Sequence, residues 1–379
     1  MAWVVAVLCL SACETPEPQP KGPVNAWAYQ TGMPPATAPV ASGSATAPAV
    51  SASAPATAEP APPIKPKKLA RGDGSPQDDE LAEADALFDK DDWAGAEAAY
   101  RKAMQVAPKD PAPIVGFARA RLAKDSVPVD FNSAPNNATL KGMIAELKRA
   151  VKLDDKYAPA QLELGRALLV QGKADDAMVA IRKSIELDPS EPEAQSAFGV
   201  ALLAKGDLQG ATVALKKAAN LDPGSAARQS NLGTALFASG NVIEAIAAYE
   251  KAIKLAPNDP GTLSDLGTAH LAQNQPDEAI KYLEKASTLA PKNAAIVQNL
   301  AYANHLKGQF DKAQKLYEEA IKLDDKLVSA WINLGNLHAQ RGKLPEAKAA
   351  YEKAKAIDPT DPRVKTAFGE LEEMQKKKP

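Results

Sequence analysis

From residue 77 onward, apolar and charged residues alternate with the three- and four-residue spacing of an amphipathic helix. In the stretch 242–255, Ala245, Ala248, Tyr249 and Ala252 share one face while Glu244, Glu250, Lys251 and Lys254 take the others. Such helices recur in register. Pro189, Pro223, Pro257, Pro291 and Pro359 lie 34 residues or a multiple of it apart, and Asp155 and Asp325 hold the same register where proline is missing. Each marks the stop of a helix that closes on Lys or Glu, as in Lys251-Ala252-Ile253-Lys254-Leu255-Ala256-Pro257.

Within each period, small residues recur where two helix backbones must approach. Counting from residue 158, the eighth position holds Gly165, Gly199, Gly233, Gly267, Ala301 and Gly335, and the twentieth holds Ala177, Ala211, Ala245, Ala279, Ala313 and Ala347. Between them Gly172, Gly206, Gly240, Asn274, Gly308 and Gly342 share the register of a left-handed helix cap. Acidic residues open the second helix (Asp277, Glu278, Glu346) and lysines close it (Lys254, Lys322), opposing the helix dipole at both ends.

The pattern resembles the tetratricopeptide repeat. That resemblance implies an all-α, right-handed superhelical solenoid of about eight helix-turn-helix hairpins plus a C-terminal capping helix. The repeats are expected at 77–110, 111–157, 158–191, 192–225, 226–259, 260–293, 294–327 and 328–361, with the cap at 362–376. The second is interrupted at 124–137, where Pro128 and Pro135 enforce a loop that presents Val127, Val129 and Phe131, either a specificity element or a tolerated insertion.

Composition adds an N-terminal tether. Residues 13–76 are rich in Pro, Ala, Ser and Thr, bury little and read as an extended spacer. Arg71-Gly72-Asp73 within it is read as a chance tripeptide. Residues 3–10 are apolar but too short to span a bilayer as a helix, and suit the core of a signal peptide over 1–12. Leu10-Ser11-Ala12-Cys13 resembles a bacterial lipobox, although no basic residue precedes it. The resemblance implies lipid on Cys13, an envelope location, and, from Glu14 rather than Asp, the outer membrane facing the periplasm. The alternative is a soluble cytosolic repeat protein, for example one related to glycosylation, whose apolar N-terminus is misread.

Net charge is −2 with both signs interspersed, which gives no field for a phosphate backbone and argues against nucleic acid as a partner. Cysteine is confined to Cys9 and Cys13, so the body has no cysteine-based metal site or disulfide framework. No phosphate-cradling glycine loop, paired-histidine metal motif or nucleophile elbow occurs, so neither an enzyme nor a cofactor or small-molecule substrate is expected. His270, His305 and His338 are read as packed or solvated, and Trp331, Tyr249, Tyr317 and Tyr351 as core.

In the family the first helix of each hairpin lines a concave groove. By resemblance, position six of that stripe carries Asn231, Asp265, Asn299 and Asn333, and position nine carries Arg166, Thr234, Thr268, Tyr302 and Asn336. The asparagines resemble the amide ladder of the O-linked N-acetylglucosamine transferases, which holds an extended peptide; carboxamides donate and accept at once and so can pair with any backbone. They could equally bond to the neighbouring repeat. The expected partner is therefore a protein or extended peptide, with a membrane reached through the lipid.

Overall fold

The computed structural model describes residues 67–129 and 131–376, and among them every regular element is a helix. There are seventeen: α1 (Pro76–Phe88), α2 (Trp93–Val106), α3 (Pro111–Lys124), α4 (Ala138–Leu153), α5 (Ala158–Val170), α6 (Ala174–Leu187), α7 (Pro192–Ala204), α8 (Leu208–Leu221), α9 (Ala226–Ala238), α10 (Val242–Leu255), α11 (Pro260–Ala272), α12 (Pro276–Leu289), α13 (Ala294–Leu306), α14 (Phe310–Leu323), α15 (Val328–Gln340), α16 (Leu344–Ile357) and α17 (Pro362–Lys376). Each packs chiefly on its chain neighbours, so α1 to α16 form eight successive hairpins and α17 closes the stack against α15 and α16. None of these helices is long and apolar enough to cross a membrane.

Of the eight odd-numbered helices α1 to α15, here called A helices, six start behind a side-chain cap; α5 and α15, behind Tyr157 and Leu327, do not. Asp110 and Asp259 cap α3 and α11 through their side chains, each ahead of a proline whose missing N–H would have no helical partner. The A helices end in a left-handed residue: Gly206 at φ 76°, Gly308 at φ 78°, and, in the three hairpins without glycine there, Asp91 at φ 61°, Ser126 at φ 49° and Asn274 at φ 55°. The following amide then reaches back over the helix end, as Asp207 N–H does to the Leu202 carbonyl and Gln275 N–H to that of His270, both at 2.9 Å. This six-to-one bond turns the chain into the B helix.

The two helices of a hairpin touch through the small-residue register. A β-carbon added at Gly233 would sit 2.7 Å from the ring of Tyr249, and one at Gly267 would sit 2.6 Å from Leu283. Both distances lie far inside carbon contact, so only hydrogen fits. Opposite them Ala177, Ala211, Ala245, Ala279, Ala313 and Ala347 are all fully buried. Burial comes from close backbone approach more than from large side chains.

The interruption in the second hairpin is docked. Asn132 N–H donates to the Leu169 carbonyl at 2.9 Å and Ala134 N–H to that of Val170 at 3.2 Å, capping the end of α5. Val127 and Ala134 are buried, Phe131 packs on the core, and Val129 alone of the three apolar residues is open to solvent. The loop therefore joins the second hairpin to the third.

Residues 67–75, which the sequence assigns to the spacer, are mostly exposed but anchored at Leu69. Leu69 is 3% exposed and belongs to the core of the first hairpins. Signal peptide, Cys13 and the rest of the spacer lie outside the described residues.

Candidate functional site

The A helices present a polar stripe whose members reach from one hairpin to the next. Position nine of one A helix meets position six of the following one: Arg119 Nε donates to Glu163 Oε1 at 2.7 Å, and Asn299 Nδ2 donates to Thr268 Oγ1 at 3.2 Å. The same register carries an ion pair at one end of the array and a neutral pair at the other. Further links are Thr262 to Ser230 at 3.1 Å, Ser329 to Gln298 Oε1 at 2.7 Å, and Asn231 Nδ2 to Ser196 Oγ at 3.5 Å. B helices support the stripe from behind, since Tyr100, Tyr249 and Tyr351 direct their hydroxyls to Asp85, Thr234 and Asn336, all at position nine.

The stripe divides by charge. Over α3 to α9, Arg119, Glu163, Arg166, Glu193, Arg228 and Asp222 alternate in sign with successive contacts of 2.7, 3.4, 3.5, 3.4 and 2.8 Å. Burial raises the pKa of Glu163, but Arg119 and Arg166 outweigh it and hold the carboxyl below its ordinary value of 4.5. A cleft of about 90 Å³ opens among Lys67, Arg119, Glu163, Arg166, Glu193 and Arg228. From α11 to α15 the stripe carries mostly amides and hydroxyls, with the carboxylate of Asp265 among them.

The expected groove residues fall into two layers. Asn231, Asp265, Thr234, Asn336 and Arg166 are half-buried and reach the surface of the stripe. Asn299 and Asn333 are fully buried, and Thr268 and Tyr302 nearly so. Asn299 uses both ends of its amide inside the protein, because its oxygen accepts from Gln298 at 3.3 Å while its nitrogen holds Thr268. Asn299 and Thr268 thereby tie neighbouring hairpins together.

Histidines pack as expected. His270 stacks on Tyr282 and pairs with Gln275 at 2.7 Å; His305 sits among Tyr302, Phe310 and Tyr317 and pairs with Gln340 at 2.6 Å. Burial pushes the His305 imidazole below its ordinary pKa of 6.5, against the opposing effect of Gln340, so it is neutral in the core.

Three groups escape the sequence reading: Asp78, Asp85 and Arg119. They hold residues 67–73 as a non-helical segment, turned at Gly72 (φ 73°), against the first A helix and Arg119. Asp85 Oδ2 accepts from the amides of Leu69 (2.7 Å) and Ala70 (2.9 Å), Asp78 accepts from those of Arg71, Gly72 and Asp73 (2.6, 2.6 and 3.2 Å), and Arg119 donates to the Lys67 carbonyl at 3.0 Å. Asp85 and Arg119 both stand at position nine, the register already singled out farther along, which is the signal that could have found them.

Comparison with known proteins agrees with this geometry. Family models described as tetratricopeptide repeat match residues 144–192 and 162–226, 225–292, and 270–326 and 304–371. No curated protein matches the chain. Among solved structures it is similar to a chain of the APC/C hetero-tetramer Cut9–Hcn1, at 20% identity and a TM-score of 0.59, over 80% of this chain and 57% of that one. It is also similar to PilF of Pseudomonas aeruginosa (22% identity, TM-score 0.49, 57% of this chain and 98% of that one). A third is YrrB, a TPR protein with an unusual peptide-binding site (23% identity, TM-score 0.41, 50% of this chain and 98% of that one). The likeness is one of fold.

Proposed function

This chain belongs to the tetratricopeptide repeat family, and on that premise we propose that it is a non-catalytic scaffold, tethered by lipid on Cys13, that captures an extended segment of a protein partner on its A-helix stripe during assembly in a bacterial cell envelope. The observation that carries the binding half is the segment 67–73, whose amides are held by Asp78 and Asp85 on the stripe itself. Side chains on this face can thus hold a non-helical backbone through its amides. Farther along, the half-buried layer of Asn231, Thr234, Asp265 and Asn336, with Arg166 at the charged end, supplies donors and acceptors of the same kind. The deeper layer of Thr268, Asn299, Tyr302 and Asn333 keeps them at fixed spacing.

The tether rests on Leu10-Ser11-Ala12-Cys13 after the apolar run 3–10, followed by the Pro/Ala-rich spacer. Lipid confines the scaffold to one surface, here the periplasmic face of the outer membrane, and the spacer lets its array search for partners. Fractionation with labelled palmitate tests this half. Wild-type chain is expected in the membrane fraction with label, and Cys13→Ala in the soluble fraction without it. Equal membrane retention of the variant would overturn the lipid tether, and unlabelled wild-type chain in the soluble fraction would favour the soluble reading.

A further inference from the structure

We propose that the A-helix stripe of the first three hairpins is a binding site for a non-helical basic peptide, and that residues 67–73 of the chain occupy it as a displaceable ligand in cis. The proposal rests on the groove reading, applied to α1, α3 and α5 alone.

The occupant is bound as a peptide ligand would be. Five consecutive amides, Leu69 to Asp73, donate to just two carboxylates, and these belong to positions two and nine of the first A helix. Asp78 and Asp85 are 3% and 5% exposed with the segment in place. Tyr100 O–H already serves Asp85 Oδ1, but buried carboxylate oxygens without donors are unfavourable, so Asp85 Oδ2 and Asp78 require this backbone, another backbone or water. Direct backbone pairing of this kind tolerates many sequences.

Side chains then select. Leu69 is the single apolar anchor and is buried in the first core. Each cation around it meets an acid: Lys67 reaches Asp188 at 3.2 Å, Lys68 reaches Asp89 at 3.7 Å, and Arg71 makes two parallel bonds of 2.8 Å to Asp110. Those acids come from the first three hairpins, spread over the length of the segment. The matching ligand is a segment of the form basic, basic, aliphatic, small, basic. Beyond Lys67 the stripe continues into the cleft lined by Arg119, Glu163, Arg166, Glu193 and Arg228, so a longer peptide has room to run on.

An internal fixed cap would look similar in one respect, the burial of Leu69. It differs in what happens when the segment is released. A cap leaves no site behind, whereas a ligand leaves Asp78, Asp85, Asp110 and Arg119 ready to take a second copy. Being covalently attached, the cis segment acts at a high effective concentration and keeps the site closed to weak competitors.

The test uses full-length chain and a fluorescein-labelled peptide with the sequence of residues 64–74, Ile-Lys-Pro-Lys-Lys-Leu-Ala-Arg-Gly-Asp-Gly. Leu69→Ala with Arg71→Ala loosens the cis segment while leaving every acceptor intact. By fluorescence anisotropy this variant is expected to bind the peptide about 10-fold more tightly than wild type, as removal of a competing closed state requires. A peptide with the leucine and arginine replaced by alanine is expected to lose that binding. Equal affinity for variant and wild type, or for both peptides, overturns the proposal. Hydrogen exchange on unmutated chain keeps the question decidable if the variant misfolds: amides 69–73 are expected to exchange faster than those of α1 and faster still with peptide added. Exchange as slow as α1 and insensitive to peptide would identify a fixed cap. Neither result bears on capture by the half of the stripe around Asn231 and Asn336, which is measured separately.

Discussion

Replacing Arg119 with methionine is expected to destabilise the first three hairpins by about 3–5 kcal/mol, the range for leaving one member of a buried ion pair alone. Both side chains of the pair are closed off, with Arg119 8% and Glu163 9% exposed. Methionine replaces much of the aliphatic stem, so the loss reports the charge more than the volume. Arg166 remains near Glu163, but at 3.4 Å and on a half-exposed side chain it is the weaker partner. Because an array of hairpins does not unfold as one unit, the effect is best read by hydrogen exchange on α3 and α5.

The pH dependence has a definite sign. The folded-state pKa of Glu163 lies below its ordinary 4.5, so its contribution is present above that value and is lost as pH falls through the folded pKa. In Arg119→Met the main influence lowering that pKa is gone and burial raises it, so acid neutralises the orphaned carboxylate. The gap between variant and wild type should therefore narrow as pH falls through the variant's carboxyl pKa, which lies above that of the wild type. Adding Glu163→Leu to the variant is expected to recover much of the loss, and failure to do so would show that Arg119 acts through packing.

Gly165→Val is expected to disrupt the third hairpin, at a cost of about 3 kcal/mol, the upper end of the overpacking range. An added β-carbon there would run into Ile181 Cγ1 and stand 3.1 Å from the Ala177 carbonyl. Ile181 is fully buried and branched at Cβ, so it has little room to turn, and the carbonyl belongs to the backbone of α6. The helices must separate. In the seventh hairpin the same register holds Ala301, fully buried in one core cluster with Tyr317, so a single β-carbon is tolerated there. Thermal unfolding followed by circular dichroism, with exchange on α5 and α6, reads the loss; a change below about 0.5 kcal/mol, ordinary for a surface substitution, would mean that close approach is unimportant there.

Much of the fold is legible because the features that build it are local and repeated. Gly233 and Gly267 mark helix contact, Gly206 and Asn274 mark the left-handed turn, and Pro257 marks a stop, each readable from the period alone. The period also picks out which residues share the A-helix stripe. It does not state how one hairpin is rotated against the next, so the pairing of position nine with position six, as in Thr268 with Asn299, emerges only in the structure. For that reason Asn299 and Asn333, which look alike to Asn231 in sequence, lie in the layer beneath it. The segment 67–73 is hidden for another reason. It has no helical period and the composition of a spacer, and its conformation is imposed by Asp78 and Asp85, contacts between segments that no local pattern encodes.

The central claim is that partners are held on the A-helix stripe. A photo-crosslinking residue placed singly at Asn231, Thr234 or Asn336, and at exposed Lys251 on a B helix as control, measures this in living cells. The account predicts the same discrete protein adducts from the three stripe positions, mapped by mass spectrometry to extended segments of the partner, and none of them from Lys251. Adducts that form equally from Lys251, or that form there while the stripe stays bare, would contradict it.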